Sequence, residues 1–183
     1  MRIRMVELCE QKDRGSMGCH YVVSAARAAG FDVQYSDPYD SETYDVELVS
    51  VHHALNYLLL PGLPKRAPIR IVGGHPMAIN PRPAIPYADI ICVGEGESWI
   101  VEALSRIQTG GNLSHLSGTI ITKRWGGTIP QPRNEPAVPR NRPYLNRATS
   151  GHAAMWYLEM ARGCPFQCAY CALGHSSRYR IQK

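Results

Sequence analysis

The sequence predicts an α/β fold, a doubly wound and mostly parallel sheet of five strands with helices on both faces. Three observations carry that expectation. Strand and helix patterns alternate from the N-terminus to about residue 112, which argues for parallel strands joined by crossover helices. The loops that follow the predicted strands gather glycines, histidines and carboxylates, as the ligand edge of such a sheet does. With 183 residues, 44% of them apolar, the chain can bury one full core and a small appendage.

The elements follow in order. Residues 3–8, "IRMVEL", read as a first strand, and "GCHYVVSAARAAG" has the apolar spacing of a helix that Gly30 stops. "FDVQYS" and "DVELVSV" read as the second and third strands. "HALNYLLL" is a short apolar helix closed by "PGLP", and "IRIVGG" is a fourth strand running into a glycine pair. "ADIICVGEGE" is a fifth strand with a tight turn, and "ESWIVEALSRIQTGG" a helix closed by Gly110 and Gly111. Residues 118–130 pattern as a hairpin around Gly126 and Gly127. "AMWYLEMARGC" supplies one more strand. The domain boundaries expected are 1–130 for the α/β unit with its hairpin, 131–152 for a linker and 153–183 for the start of a second unit.

In a doubly wound sheet, ligands sit beyond the carboxyl ends of the strands, here the loops after Leu8, Val51, Val72 and Val93. Gly73, Gly74, Gly94 and Gly96 are read either as tight-turn residues or as parts of a ligand site, and a bare glycine pair does not choose between the two. His52, His53 and His75 fall at that edge. His20, His115 and His152 are read as satisfied polar residues.

The net charge of +5 is unevenly spread. Lys123, Arg124, Arg133, Arg140, Arg142 and Arg147 stand against the single acid Glu135. Five prolines between Pro130 and Pro143 make this arm a solvated linker in preference to a nucleic-acid contact. No apolar run of eighteen residues and no secretory signal are present, so a cytoplasmic protein without a membrane anchor is expected.

Six cysteines are too few for a disulfide scaffold in a chain of this size. Cys9, Cys19 and Cys92 stand alone and read as small buried apolar residues. Cys164, Cys168 and Cys171 do not: C-x3-C-x2-C lets one loop turn three soft thiolates towards a common centre, with Gly163 and Pro165 shaping the turn. Three thiolates on a four-iron cluster leave one iron open to a small molecule. The competing assignment adds His175 as a fourth ligand and makes the loop a Cys3His zinc site in a nucleic-acid-interaction module.

"CPFQCAYC", with Tyr170 in the aromatic slot of C-x3-C-x-aromatic-C, resembles the signature of the radical S-adenosylmethionine superfamily. The resemblance implies an enzyme in which Cys164, Cys168 and Cys171 hold a [4Fe-4S] cluster and S-adenosylmethionine chelates the fourth iron. One-electron cleavage then gives a 5′-deoxyadenosyl radical that modifies a substrate, unknown here, with Tyr170 packing near the adenine. A one-electron reductant is implied as a partner.

The upstream half resembles the Rossmann-like, cobalamin-binding-type domain of one branch of that superfamily. Asp13 and Gly18 match its loop after the first strand, Ser50 its serine, Gly73 and Gly74 its glycine pair, and "GEGE", with Gly94 and Glu95, its turn after the fifth strand. Gly15 stands where that loop carries its histidine, so cobalamin is either held without a lower ligand from this loop or absent. His52, His53 or His75 is the alternative source of that ligand. The second unit resembles the first strand and cluster loop of a partial TIM barrel, whose remainder is expected on a longer chain or on a second one.

Overall fold

The structure is a computed structural model describing residues 1–8, 16–134 and 159–181, and the strand backbones of 144–146 and 155–157. Asp13, Cys9 and His152 lie outside the described residues.

The chain runs β1 (Arg2–Leu8), α1 (Met17–Ala28), β2 (Asp32–Tyr35), β3 (Val46–Val51), a 3-10 stretch (Ala54–Gly62), β4 (Ile69–Gly73), α2 (His75–Ile79), a second 3-10 stretch (Arg82–Tyr87), β5 (Ile90–Cys92), α3 (Glu97–Thr109) and β6 (Thr119–Ile121). The sheet order is β2-β1-β3-β4-β5-β6, parallel except for the last pair. The order reverses between β1 and β3. That is the topological switch point, where two neighbouring loops leave the sheet in opposite directions and open a crevice.

Period-two alternation sorts the strands into two buried faces. Ile3, Met5, Val46, Leu48 and Ile71 pack under α1 and α3 with Val23, Trp99 and Leu104. Val6, Leu8, Val49, Val51 and Val72 pack on the other face against Leu60, Met77 and Ala84. α1 begins at Ser16, whose Oγ accepts the Cys19 N–H at 3.1 Å. Cys19 and Cys92 are buried in the core, as expected of isolated cysteines.

One rung of the sheet departs from the apolar rule. Arg4, Glu47 and Arg70 lie side by side on β1, β3 and β4, all essentially solvent-free. Arg4 donates to Glu47 Oε2 from Nε and Nη2 at 3.0 and 2.6 Å, and Arg70 Nε donates to Oε1 at 2.6 Å. The outer guanidinium nitrogens donate to the Pro64 and Leu63 carbonyls. Two charged donors on one carboxylate, with backbone oxygens accepting from an outer nitrogen of each arginine, are what make such burial tolerable, although Arg4 Nη1 is left without an acceptor among the described residues.

Several expectations are corrected. The sheet has six strands, not five, because Thr119–Ile121 pairs antiparallel with β5 instead of folding back on residues 127–130 as a hairpin. Pairing covers an edge that the hairpin would have left open, and the Thr119 hydroxyl accepts the Trp99 indole N–H at 2.9 Å. The helix expected at "HALNYLLL" is 3-10, with Pro61 inside it removing a donor. The strand expected across "AMWYLEMARGC" is split. β8 (Met155–Tyr157) pairs antiparallel with β7 (Tyr144–Asn146), which lies inside the segment expected to be only a linker. β9 (Ala161–Arg162) pairs antiparallel with β10 (Arg180–Ile181), and α4 (Leu173–Ser176) lies between them.

Candidate functional site

A cavity of about 390 Å³ opens at the carboxyl edge of β1, β3, β4 and β5. Gly18, Ser50, Gly73, Gly74, Gly94 and Glu95 all line it, so six residues singled out by the sequence converge in space. His52 and His75 line it too, whereas His53 caps the following 3-10 stretch, its N–H donating to Asn56 Oδ1 at 2.9 Å.

The Gly74 turn is a steric necessity. Its φ is +112°, and a Cβ there would stand 2.1 Å from the Val51 carbonyl oxygen. Gly74→Ala is therefore expected to cost about 3 kcal/mol, combining backbone strain with overpacking. Urea unfolding checks this; a loss below about 1 kcal/mol would mean that the turn relaxes freely. Gly94 is held by the chain itself: Arg133 bridges it in parallel, donating N–H to the Val93 carbonyl at 3.0 Å and accepting from Glu95 N–H at 2.9 Å.

The roof of the cavity comes from the β9–β10 unit. Arg162 lies 2.6 Å from Glu97 Oε1 through Nη1 and 2.6 Å from Glu159 Oε1 through Nε, and its guanidinium carbon sits 5.6 Å from the centre of the Tyr21 ring. Arg180 pairs with Glu95, which also lies 3.5 Å from Arg162. The carboxylates of the "GEGE" turn are thus engaged by arginines of the cysteine-bearing unit. Burial lifts the Glu97 carboxyl above its ordinary range, which the adjacent Arg162 charge only partly offsets. Burial also opposes the charge of Arg162, but Glu159 and Glu97 hold that guanidinium firmly protonated.

Beyond this clasp, Cys164, Cys168 and Cys171 sit half-buried on the loop between β9 and β10. They do not line the cavity, but Gly163, Leu173 and Ser177 of the same loop do. Gly163 has φ +76°, and a Cβ would meet the Arg178 carbonyl oxygen at 2.5 Å, so the loop's entry and exit touch backbone to backbone. The Cys171 N–H donates to the Cys168 carbonyl at 3.0 Å, and His175 Nε2 lies 3.2 Å from the same oxygen. Tyr170 is 93% exposed, away from the cavity wall.

Among the described residues, only Glu7, Cys19 and His52 bring three metal-ligating atoms within 4.8 Å of one another. The three loop thiols, with or without His175, form no such compact group. A tetrahedral zinc ion spaces its sulfurs by about 3.8 Å, given bonds of about 2.3 Å.

His20 and His75 titrate below the ordinary value of 6.5: His20 through burial and then Arg27, His75 through burial and then His53. A histidine whose folded pKa is depressed contributes stability that is present above its unfolded value and lost as the pH falls. The free energy of unfolding is therefore expected to decline below pH 6.5. A His20→Gln/His75→Gln double variant should flatten that slope between pH 7.5 and 5.5; an unchanged slope would place the titration elsewhere.

Sequence reasoning pointed to His52 and the glycines through their place after the strands, but it missed the arginine clasp. Arg162 and Glu97 are far apart in the chain, and no local signal pairs them. Glu7 and Cys19 were likewise invisible as partners of His52, because their meeting depends on the switch point.

No protein-family model and no curated protein matches the sequence. The solved structures that match its fold include two of one enzyme. The radical S-adenosylmethionine methyltransferase TsrM from Kitasatospora setae, with tryptophan substrate and a SAM analog bound, gives a TM-score of 0.69 at 15% identity. The same enzyme with cobalamin and a [4Fe-4S] cluster bound gives 0.66 at 14%. Each match covers 100% of this chain but only 43% of the other, so the chain spans less than half the length of the enzyme it resembles. At this identity the likeness establishes the fold: the α/β unit and the following loop share the architecture of that enzyme. No helix among the described residues is long and apolar enough to cross a membrane.

Proposed function

We propose that the chain is the cofactor-holding part of a radical S-adenosylmethionine enzyme of the cobalamin-associated branch. The observation that carries this reading is the position of the cysteine loop. It is docked by Arg162 and Arg180 over the cavity at the switch-point edge, in an architecture shared with a methyltransferase solved with cobalamin and a [4Fe-4S] cluster.

Cys164, Cys168 and Cys171 are the three protein ligands, and their half-exposed setting leaves the loop's outer side for S-adenosylmethionine. When bound, such a cluster supplies one-electron reduction of the sulfonium, generating the radical that modifies the substrate. Tyr170, almost fully exposed, would stack on the adenine in this reading. Gly18, Ser50, Gly73, Gly74, Gly94 and Glu95 line a space of about 390 Å³, in the size range of small-molecule sites. That space would accept a ring-sized portion of a cobalamin. Asp13 belongs to this set on the sequence resemblance alone. In this reading the arginine clasp would set the distance between the two cofactor sites. The rest of the barrel, the substrate and the one-electron reductant come from outside the chain described.

The test is anaerobic reconstitution with iron and sulfide. The expected product is a brown protein whose dithionite-reduced electron paramagnetic resonance signal shifts when S-adenosylmethionine is added. Cobalamin titration, followed by absorbance, checks the second site separately. A colourless chain holding one zinc would favour the Cys3His assignment and overturn the proposal.

A further inference from the structure

Beside the cavity three side chains meet, two of which, Cys19 and His52, line it. Glu7 is the penultimate residue of β1, His52 follows β3, and Cys19 sits in the first turn of α1. His52 Nε2 lies 2.7 Å from Glu7 Oε1 and 3.9 Å from Cys19 Sγ. Both contacts use the same imidazole nitrogen. A thiol–histidine–carboxylate relay needs one ring nitrogen for the thiol and the other for the acid, so this arrangement is not a nucleophile triad. Convergence of O, N and S on one point is instead the pattern of ligands around an ion.

We propose that Glu7, Cys19 and His52 form a mononuclear site for a zinc-type divalent transition metal, separate from the cluster loop. Tetrahedral bonds of about 2.0–2.3 Å would set N···O near 3.3 Å and N···S near 3.6 Å. The distances observed lie on either side of these values, and side-chain shifts of about half an ångström reach them. The donor set, thiolate with imidazole and carboxylate, suits zinc and disfavours magnesium or calcium. Glu7 is already oriented by the Ser16 N–H, which donates to Oε1 at 2.5 Å, and Ser16 is itself fixed as the cap of α1. Cys19 and His52 both line the cavity, so the fourth coordination position faces it and takes water or a donor atom of a small molecule. Cys19 loses its proton to solvent when the metal binds, and uptake therefore weakens at low pH.

This inference does not rest on the cluster reading, and the experiment separates the two. In the full chain carrying Cys164→Ser, Cys168→Ser and Cys171→Ser, cobalt(II) is titrated under nitrogen. One equivalent is expected to give a strong near-ultraviolet thiolate-to-cobalt band with the visible bands of a tetrahedral ion. Adding Cys19→Ser should abolish the near-ultraviolet band, and adding His52→Ala should weaken binding at least about tenfold. Absence of a thiolate band, or its survival in the Cys19→Ser variant, overturns the proposal and leaves an ion pair beside a buried thiol. Should the triple variant not fold by circular dichroism, elemental analysis of the reconstituted chain replaces it. Zinc accompanying iron, and lost with Cys19→Ser while iron stays, supports the site; zinc that is absent or unaffected overturns it.

Discussion

Replacing any one of Cys164, Cys168 or Cys171 with alanine is expected to lower iron after anaerobic reconstitution from about four atoms per chain to less than about one. All three thiols lie on one short loop that spans β9 to β10, and among the described residues no compact metal-ligating group includes any of them. A cluster already left with one open iron has no ligand to spare, so the loss should be all-or-none rather than graded. Parallel replacement of His175 separates the competing assignment: iron content should not change, whereas a Cys3His zinc site would lose most of its affinity. Elemental analysis with absorbance reads both outcomes. Folding of the α/β unit should survive each change, because the cysteines contribute nothing to either face of the six-stranded sheet.

Glu47→Gln is expected to be the most destabilising single change in the core, at about 3–5 kcal/mol. Glu47 lies in the sheet with no solvent exposure and satisfies two equally buried guanidinium groups. An amide keeps the shape but removes the charge, stranding Arg4 and Arg70 in a medium where an uncompensated charge is costly. Urea denaturation at neutral pH checks the value. The companion experiment replaces all three residues, Arg4→Met, Glu47→Leu and Arg70→Met. Exchanging a whole buried network for apolar groups of similar volume is often neutral or stabilising, so this variant should recover most of the loss. A triple variant as unstable as Glu47→Gln would show that the rung's hydrogen bonds to Pro64 and Leu63 matter more than charge balance.

The ends of the α/β unit show how far local patterns carry. α1 and α3 stand within two residues of the bounds their apolar spacing predicts, because a capping serine and closing glycines are local signals that tertiary packing has no reason to override. The stretch at Leu58 reads as an apolar helix but closes as 3-10, since Pro61 denies it the bonds of an α-helix. Thr119–Ile121 patterns as half of a hairpin, yet it joins β5: both pairings satisfy the same backbone groups, and only the second also covers a sheet edge and gives Trp99 an acceptor.

What the chain's own order of residues determined was the alternating α/β plan, the loops that carry Gly18, Ser50, Gly73, Gly74, Gly94 and Glu95, and the spacing of Cys164, Cys168 and Cys171. Each is a local property, set by periodicity, turn stereochemistry or short thiol spacing. Only the tertiary structure decided that β1 and β3 flank the switch point, that Glu7, Cys19 and His52 meet there, and that Arg162 clasps the cysteine loop to Glu97. These are contacts between residues tens of positions apart. Their pairing depends on which strands become neighbours, and burial then makes partner choice strict, because a charge removed from water must find its counter-charge within a few ångströms.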